Sequence, residues 1–348
     1  MAHYPLVRNL KPAAVWLIAY AVLLSASLFS PPLFMVVCLL SPALLAVCGI
    51  SCGLAPMAAF ALLLPAAAWL LSGGILMPVL CVLYLWPFLI VHAYCFERKI
   101  PFWKSAAAHV AALAISQTAL LMVLRSYVGG DLFAGGADYL VQLVSDSPNG
   151  SQYLLYLHMI GILPLPADMN PTLNILIAEI LKPSARIELL NSLRRFLELY
   201  LPSFLPSLLI KNAILAGVFG VVFPIQAARR LNIPVVKMES FTKWHLNSSA
   251  GFKVLLLGLG TLLPSIFSGS YLLLAGSMMW EAFFTIFVIQ GAALLDFFRT
   301  RTGASAASRW LWPCVIYATM PMLLFILGIA DQFMNIRGLR KPKDREDI

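Results

Sequence analysis

Eight or nine stretches of about 20 apolar residues follow one another along this chain, each long enough for an α-helix to cross the hydrocarbon core of a bilayer. Within lipid every backbone N–H and C=O must find its partner inside the protein, so such stretches fold as a bundle of helices. Composition agrees. Of 348 residues, 61% are hydrophobic and 11% charged, against about 45–50% and 25% in a soluble domain. With 24 basic and 15 acidic side chains gathered in a few short clusters, a water-soluble fold would expose too much apolar surface. Intrinsic disorder is excluded on the same ground. The fold class is all-α, a polytopic transmembrane bundle of eight or nine helices with one extracytoplasmic insertion. Cys38, Cys48, Cys52, Cys81, Cys95 and Cys314 lie inside or at the ends of apolar runs, which reads as packing and not as a disulfide framework. Cys48 and Cys52 share a helix face, but two thiols with no nearby His or acid make a poor metal site.

The net charge of +9 does not point to nucleic acid, because the basic residues are parcelled out between apolar segments. They read as topology signals, since cytoplasmic loops carry the excess of Lys and Arg. Arg8 and Lys11 place the N-terminus in the cytoplasm, ahead of an uncleaved first span at 12–29. Spans at 33–50, 54–71 and 75–95 follow on links too short to fold; then come a cytoplasmic link with Arg98, Lys99 and Lys104 and a fifth span at 106–124. Residues 1–125 thus read as an N-terminal five-helix membrane bundle.

Residues 126–203 differ in character. Glycines, prolines, the turn Ser147-Pro148-Asn149-Gly150 and seven acids against Lys182, Arg186, Arg194 and Arg195 mark an extracytoplasmic insertion. Within it Ile187, Leu190, Leu193, Leu197 and Leu201 recur at helical steps. That is the pattern of an amphipathic helix, lying in the membrane interface or packed on the mouth of the bundle. Membrane helices resume over 204–330, with spans at 204–227, 254–267 and 271–298 bounded by Arg229, Arg230, Lys237, Lys243 and Lys253 and by Arg299, Arg301 and Arg309. A last stretch at 310–330 is long enough to cross once. Crossing would strand the basic polar tail 331–348, with Arg337, Arg340, Lys341, Lys343 and Arg345, outside, against the positive-inside rule. Alternatively Pro313 and Pro321 break the stretch into a re-entrant or hairpin element.

An ionisable side chain at bilayer depth costs about 2.5–3.5 kcal/mol on insertion scales, so each one needs a reason. Lys211 lies seven residues beyond Phe204 and Glu281 ten beyond Tyr271, about 10 and 15 Å from the same membrane surface at 1.5 Å per residue. As neighbours they neutralise one another, with Asn212 and Gln290 as hydrogen-bonding groups, and make the floor of a polar substrate cavity, a proton-linked element or a structural pair. Lys211, Glu281, Asn212 and Gln290 are the candidate substrate-binding residues. Asp296 precedes Arg299 by three residues and is expected to pair with it. His92 and His109 face each other across the first cytoplasmic link, without the acid that a catalytic or metal set needs. Gly49 with Gly53, and Ala216 with Gly220, give small-x-x-x-small faces for close helix approach. No Ser/His/Asp set, HExxH, CxxC pair or phosphate-cradling loop occurs in the sequence. No cofactor, metal or familiar enzymatic constellation is expected, and an intramembrane enzyme using an unfamiliar constellation is kept as a third class.

Three C-terminal features go together: Phe241-Thr242-Lys243-Trp244 before the seventh span, Gln290-Gly291 at the close of the eighth, and Gly328, Asp331 and Arg337 in the final segment from Leu327 to Lys341. With the layout of spans, they resemble the YybS-like family of polytopic bacterial membrane proteins. That family is similar in its N-terminal helices to the substrate-binding S components of energy-coupling-factor vitamin transporters. The resemblance implies a bacterial inner-membrane protein with a transporter coupling subunit and its ATPase as partners. It also implies docking through Ala-x-x-x-Ala spacing on the first helix, which Ala21 and Ser25 approximate. The leading expectation is a membrane protein that binds or transports a small solute. The alternative is a non-catalytic scaffold or assembly factor that recruits cell-envelope partners through its insertion and basic loops.

Overall fold

The computed structural model describes residues 31–72, 74–128, 131–147, 150–159, 161–163, 183–262 and 270–339. Every regular element among them is helical. The span expected at 12–29 and residues 340–348 of the basic tail lie outside the described residues. Two compact units emerge, one formed by Met1–Leu120 with Ser207–Ile348 and the other by Leu121–Pro206.

In the larger unit α1 (Pro31–Cys52) and α2 (Leu54–Ser72) meet at Gly53, whose φ of +107° is a conformation open to glycine and strained for other residues. Gly53 therefore turns the chain between the two helices. Next come α3 (Leu76–Glu97) and α4 (Phe102–Val128). They form an antiparallel hairpin in which the His92 and His109 rings lie 5.5 Å apart. The later part of α7 (Pro183–Arg230) packs against both. A Cβ at Gly217 would fall 2.8 Å from the backbone nitrogen of Val110, and one at Gly220 would meet the Phe88 ring. Ala213 and Ala216 join Leu45, Leu85, Phe88 and Leu113 in one core.

Four described helices are long and apolar enough to cross a membrane: Pro78–Glu97, Phe102–Tyr127, Phe204–Arg230 and Ala275–Arg301. The helix α8 (Ser248–Gly260), started by Asn247 accepting the Ala250 N–H at 2.7 Å, has only 13 residues. It covers about 20 Å at 1.5 Å per residue.

The last stretch is not one straight helix. After α9 (Ser270–Arg301), α10 (Ala306–Thr319) and α11 (Pro321–Met334) are bent by 114°. Proline disfavours a helical residue before it, and Met320 is accordingly non-helical, with φ −143° and ψ 61°. Pro313 stays inside α10, so of the two prolines only Pro321 makes the break. Both ends of the hairpin return to one place. At the start of α10 the Trp310 ring stacks on Phe241, 5.2 Å away. Beyond the end of α11 Arg337 donates to the carbonyl oxygens of Thr242 and Trp244, each at 2.7 Å. Trp244 in turn shares a core with Phe102, Val221, Ile225 and Ala293. The hairpin ends thus sit where α4 begins and α7 and α9 finish, at the end carrying Lys104, Arg229, Arg230, Arg299 and Arg301.

In the unit Leu121–Pro206, α5 (Leu132–Asp146) and α6 (Gly150–Met159) pack on the first part of α7. The amphipathic run and the sixth span, expected as separate elements, are one 48-residue helix. Leu189 and Leu193 are buried with Leu154 and Leu163, beside Val141, Val144 and Leu197. Of the apolar stripe, Leu190, Leu193 and Leu197 face the unit's own core, whereas Ile187 is exposed. Outside this core Arg194 bridges Asp138 at 2.9 Å and Glu198 at 3.0 Å.

Candidate functional site: a polar layer inside the membrane helices

Lys211 Nζ lies 2.7 Å from Glu281 Oε1, with 31% and 15% of the two side chains exposed. Helices α7 and α9 run side by side in the same direction. The pair fixes one level, and Ala293 against Val221 and Ile225 fixes a second about three turns further on. Thr285 Oγ1, one turn along α9, stands 3.5 Å from the same Glu281 oxygen. Next to Lys211, Asn212 Nδ2 donates to Tyr84 Oη at 3.1 Å, which brings α3 to this level.

Gln290 is not part of this group. Nine residues at 100° per residue place it half a turn away from Glu281, on the opposite face of α9. There Gln290 Nε2 donates to Asp331 Oδ2 at 3.2 Å and to Gln332 Oε1 at 3.1 Å. Arg337 Nη2 reaches the same Asp331 oxygen at 2.6 Å, and both side chains are buried. The close approach of α9 and α11 makes these bonds possible. A Cβ at Gly291 would sit 1.9 Å from the Leu324 carbonyl oxygen, and one at Gly328 2.0 Å from that of Phe287. Phe241 to Trp244, Gln290-Gly291, Gly328, Asp331 and Arg337 thus meet in one buried network. Its Arg337 bonds draw the chain before α8 to the end of α11.

Asp296 does not pair with Arg299. Arg309 holds it through two parallel bonds, Nε to Oδ1 at 2.7 Å and Nη2 to Oδ2 at 3.0 Å. Arg299 instead donates to Ser308 Oγ and lies over the Trp312 ring. Folding back of α10 supplies a fork-shaped partner that local spacing cannot show. His109 Nδ1 bonds the Ser105 carbonyl oxygen at 2.7 Å and its Nε2 lies 3.4 Å from His92 Nδ1. His92 and Ser105 line a cavity of about 30 Å³ with Cys95, Lys99, Val221 and Pro234, space for about two waters. Among the described residues no group of three His, Cys, Asp or Glu is placed to hold a metal.

One residue at this level, Gln117, does not stand out in the sequence, because it carries no charge and is not adjacent in sequence to a charged residue as Asn212 is. Gln117 is 3% exposed, and neither its Nε2 nor its Oε1 has a hydrogen-bond partner among the described residues. Two helix registers fix its level. Counting eight residues from His92 and from His109, which touch, leads to Tyr84 and Gln117. Counting seven from Val110 and from Gly217, which touch, leads to Gln117 and Ile210, the neighbour of Lys211. Seven residues are nearly two full turns, so Gln117 stays on the face of α4 that meets α7. A buried amide left unpaired costs about 1–3 kcal/mol, which makes its position one that the fold must compensate elsewhere. Its signal in the sequence is the polar triplet Ser116-Gln117-Thr118 within a long apolar run.

Tyr84, Gln117, Lys211 and Glu281 lie six, ten, seven and six residues inside the ends of their spans that face away from the basic end, a depth of about 9–15 Å. A family model described as Predicted membrane protein (DUF2232) matches residues 152–332, more than half of the chain. The chain belongs to the DUF2232 family. The DUF2232 match takes in Lys211, Glu281, Gln290 and Asp331, whereas Tyr84 and Gln117 fall outside it. No curated protein and no solved structure matches the chain.

Proposed function

We propose that this is a multi-pass protein of the bacterial inner membrane, with its N-terminus in the cytoplasm, that binds or moves a small solute in the layer around Lys211 and Glu281. The observation that carries the reading is the 2.7 Å pair itself. Two opposite charges about 10 Å inside the spans, alongside Asn212 and Tyr84, form a polar patch where lipid-facing helices have no use for one. The protein works without chemistry of its own, as a solute-binding subunit does, and the YybS-like resemblance supplies a coupling subunit and an ATPase as its partners. Small molecules that co-purify in mild detergent, read by native mass spectrometry, are expected to be lost from folded Lys211→Met and Glu281→Gln protein. An unchanged bound species in both folded variants would exclude this layer as the site.

The second reading, a scaffold for cell-envelope proteins, draws on the unit Leu121–Pro206. It has a core of its own and leaves Tyr139, Tyr153 and Tyr156 exposed, side chains that favour interfaces. Co-purification of an ATPase supports the first reading and of envelope machinery the second.

A further inference from the structure

We infer that Gln117 is a further ligand-reading residue of the Lys211–Glu281 layer, and that the solute is uncharged overall and carries a hydrogen-bond donor and acceptor side by side, as a lactam or cyclic ureide does. The inference rests on the proposed solute site lying in that layer. Lys211 and Glu281 cancel one another, so the layer brings no net charge. A charged solute would remain uncompensated in a low-dielectric setting. Asn212 Nδ2 is engaged by Tyr84. The carboxamide of Gln117 is buried with both ends unmet among the described residues; Trp86 Nε1 on α3 is also unmet, but it offers a donor alone. The carboxamide presents an acceptor oxygen and a donor N–H₂ in one plane. The complement of that edge is another amide edge, docked head to tail through two antiparallel hydrogen bonds. A site built this way rejects an analogue lacking those groups, since its own amide is then left unpaired.

The test uses the full-length protein in detergent, with the midpoint of thermal unfolding followed by tryptophan fluorescence. Probes are uracil and 2-imidazolidinone as neutral donor–acceptor rings, succinate as an anion and ethanolamine as a cation. The neutral rings are expected to raise the midpoint of wild type and leave Gln117→Leu unmoved, and the charged probes to raise neither. In ligand-free protein Gln117→Leu itself is expected to raise the midpoint, because it removes an unmet buried amide. A lower midpoint would mean the amide is already satisfied within the fold, which overturns the inference whatever the probes do. A shift with succinate or ethanolamine that disappears in Lys211→Met would overturn the neutral class and keep the layer as the solute site. A neutral-ring shift that persists in Gln117→Leu would overturn the role of Gln117. No shift with any probe would overturn the stated class.

Discussion

The side chain of Arg337 is fully buried, and its guanidinium is held by Asp331 at 2.6 Å and by the carbonyl oxygens of Thr242 and Trp244. A charge in such a place is tolerated because every direction of its fork finds an acceptor, and removing one partner leaves the other charge buried and unpaired. Arg337→Met is expected to lower stability by about 3–5 kcal/mol, read as a fall in the unfolding midpoint of the detergent-solubilised protein. Joining it with Asp331→Leu should cost less than the sum of the two single changes, because no lone charge then remains. A double variant as damaged as that sum would show that the two residues act independently. At this scale the sequence was informative about which residues matter and weaker about which meet. Lys211 and Glu281 could be matched because both had to escape lipid at similar depth. Depth alone groups Gln290 with Lys211 and Glu281, although the helical angle of nine residues separates it from Glu281. The partner of Asp296 depends on a fold-back that no local spacing encodes.

Between elements, the contact of α9 with α11 turns on two glycines. Each would place a Cβ about 2 Å from a backbone oxygen of the opposite helix, and no rotamer change relieves a clash with backbone. Gly291→Ala or Gly328→Ala should force the helices apart and cost about 1–3 kcal/mol or more, as overpacking does. The same substitution at Gly136 in α5, where the nearest atom is the Leu201 methyl at 3.9 Å, should be neutral or stabilise by up to about 1 kcal/mol. Unfolding midpoints of the three variants check the contrast, and equal effects would refute it. Helices themselves were easy to foresee, because uninterrupted apolar runs leave the backbone no other way to satisfy itself in lipid. Their ends were harder to place. Pro313 and Pro321 look alike in the sequence, yet Pro321 opens a helix, where its missing N–H is harmless, and Pro313 sits within one. Ser184 to Leu201 has a stripe that suits an interface as well as a core, and only the presence of α5 and α6 decides between them.

For the whole molecule, the fold-back of α10 and α11 bears on the count of crossings. Lys104, Arg229, Arg230, Arg299, Arg301 and Arg337 belong to segments that converge where Phe102, Trp244 and Ala293 share a core, so the positive-inside rule can hold for all of them together. Had α10 and α11 formed one straight crossing, Arg337 would lie on the side opposite Arg301. Single cysteines introduced in a background without the native six separate these cases. Ala307→Cys, at the start of α10, and Ile336→Cys, just past α11, replace exposed residues. Both are expected to resist a membrane-impermeant maleimide in intact spheroplasts and to react in inside-out vesicles. Met159→Cys, exposed on α6, is expected to do the reverse if residues 126–203 are extracytoplasmic. Should Ile336→Cys label together with Met159→Cys, the last stretch crosses and the hairpin is wrong. Should all three exchange sides, the hairpin stands and the orientation inverts, placing the Lys211–Glu281 layer about 9–15 Å from the cytoplasmic surface, since its depth is counted from the ends of the spans that face away from the basic cluster.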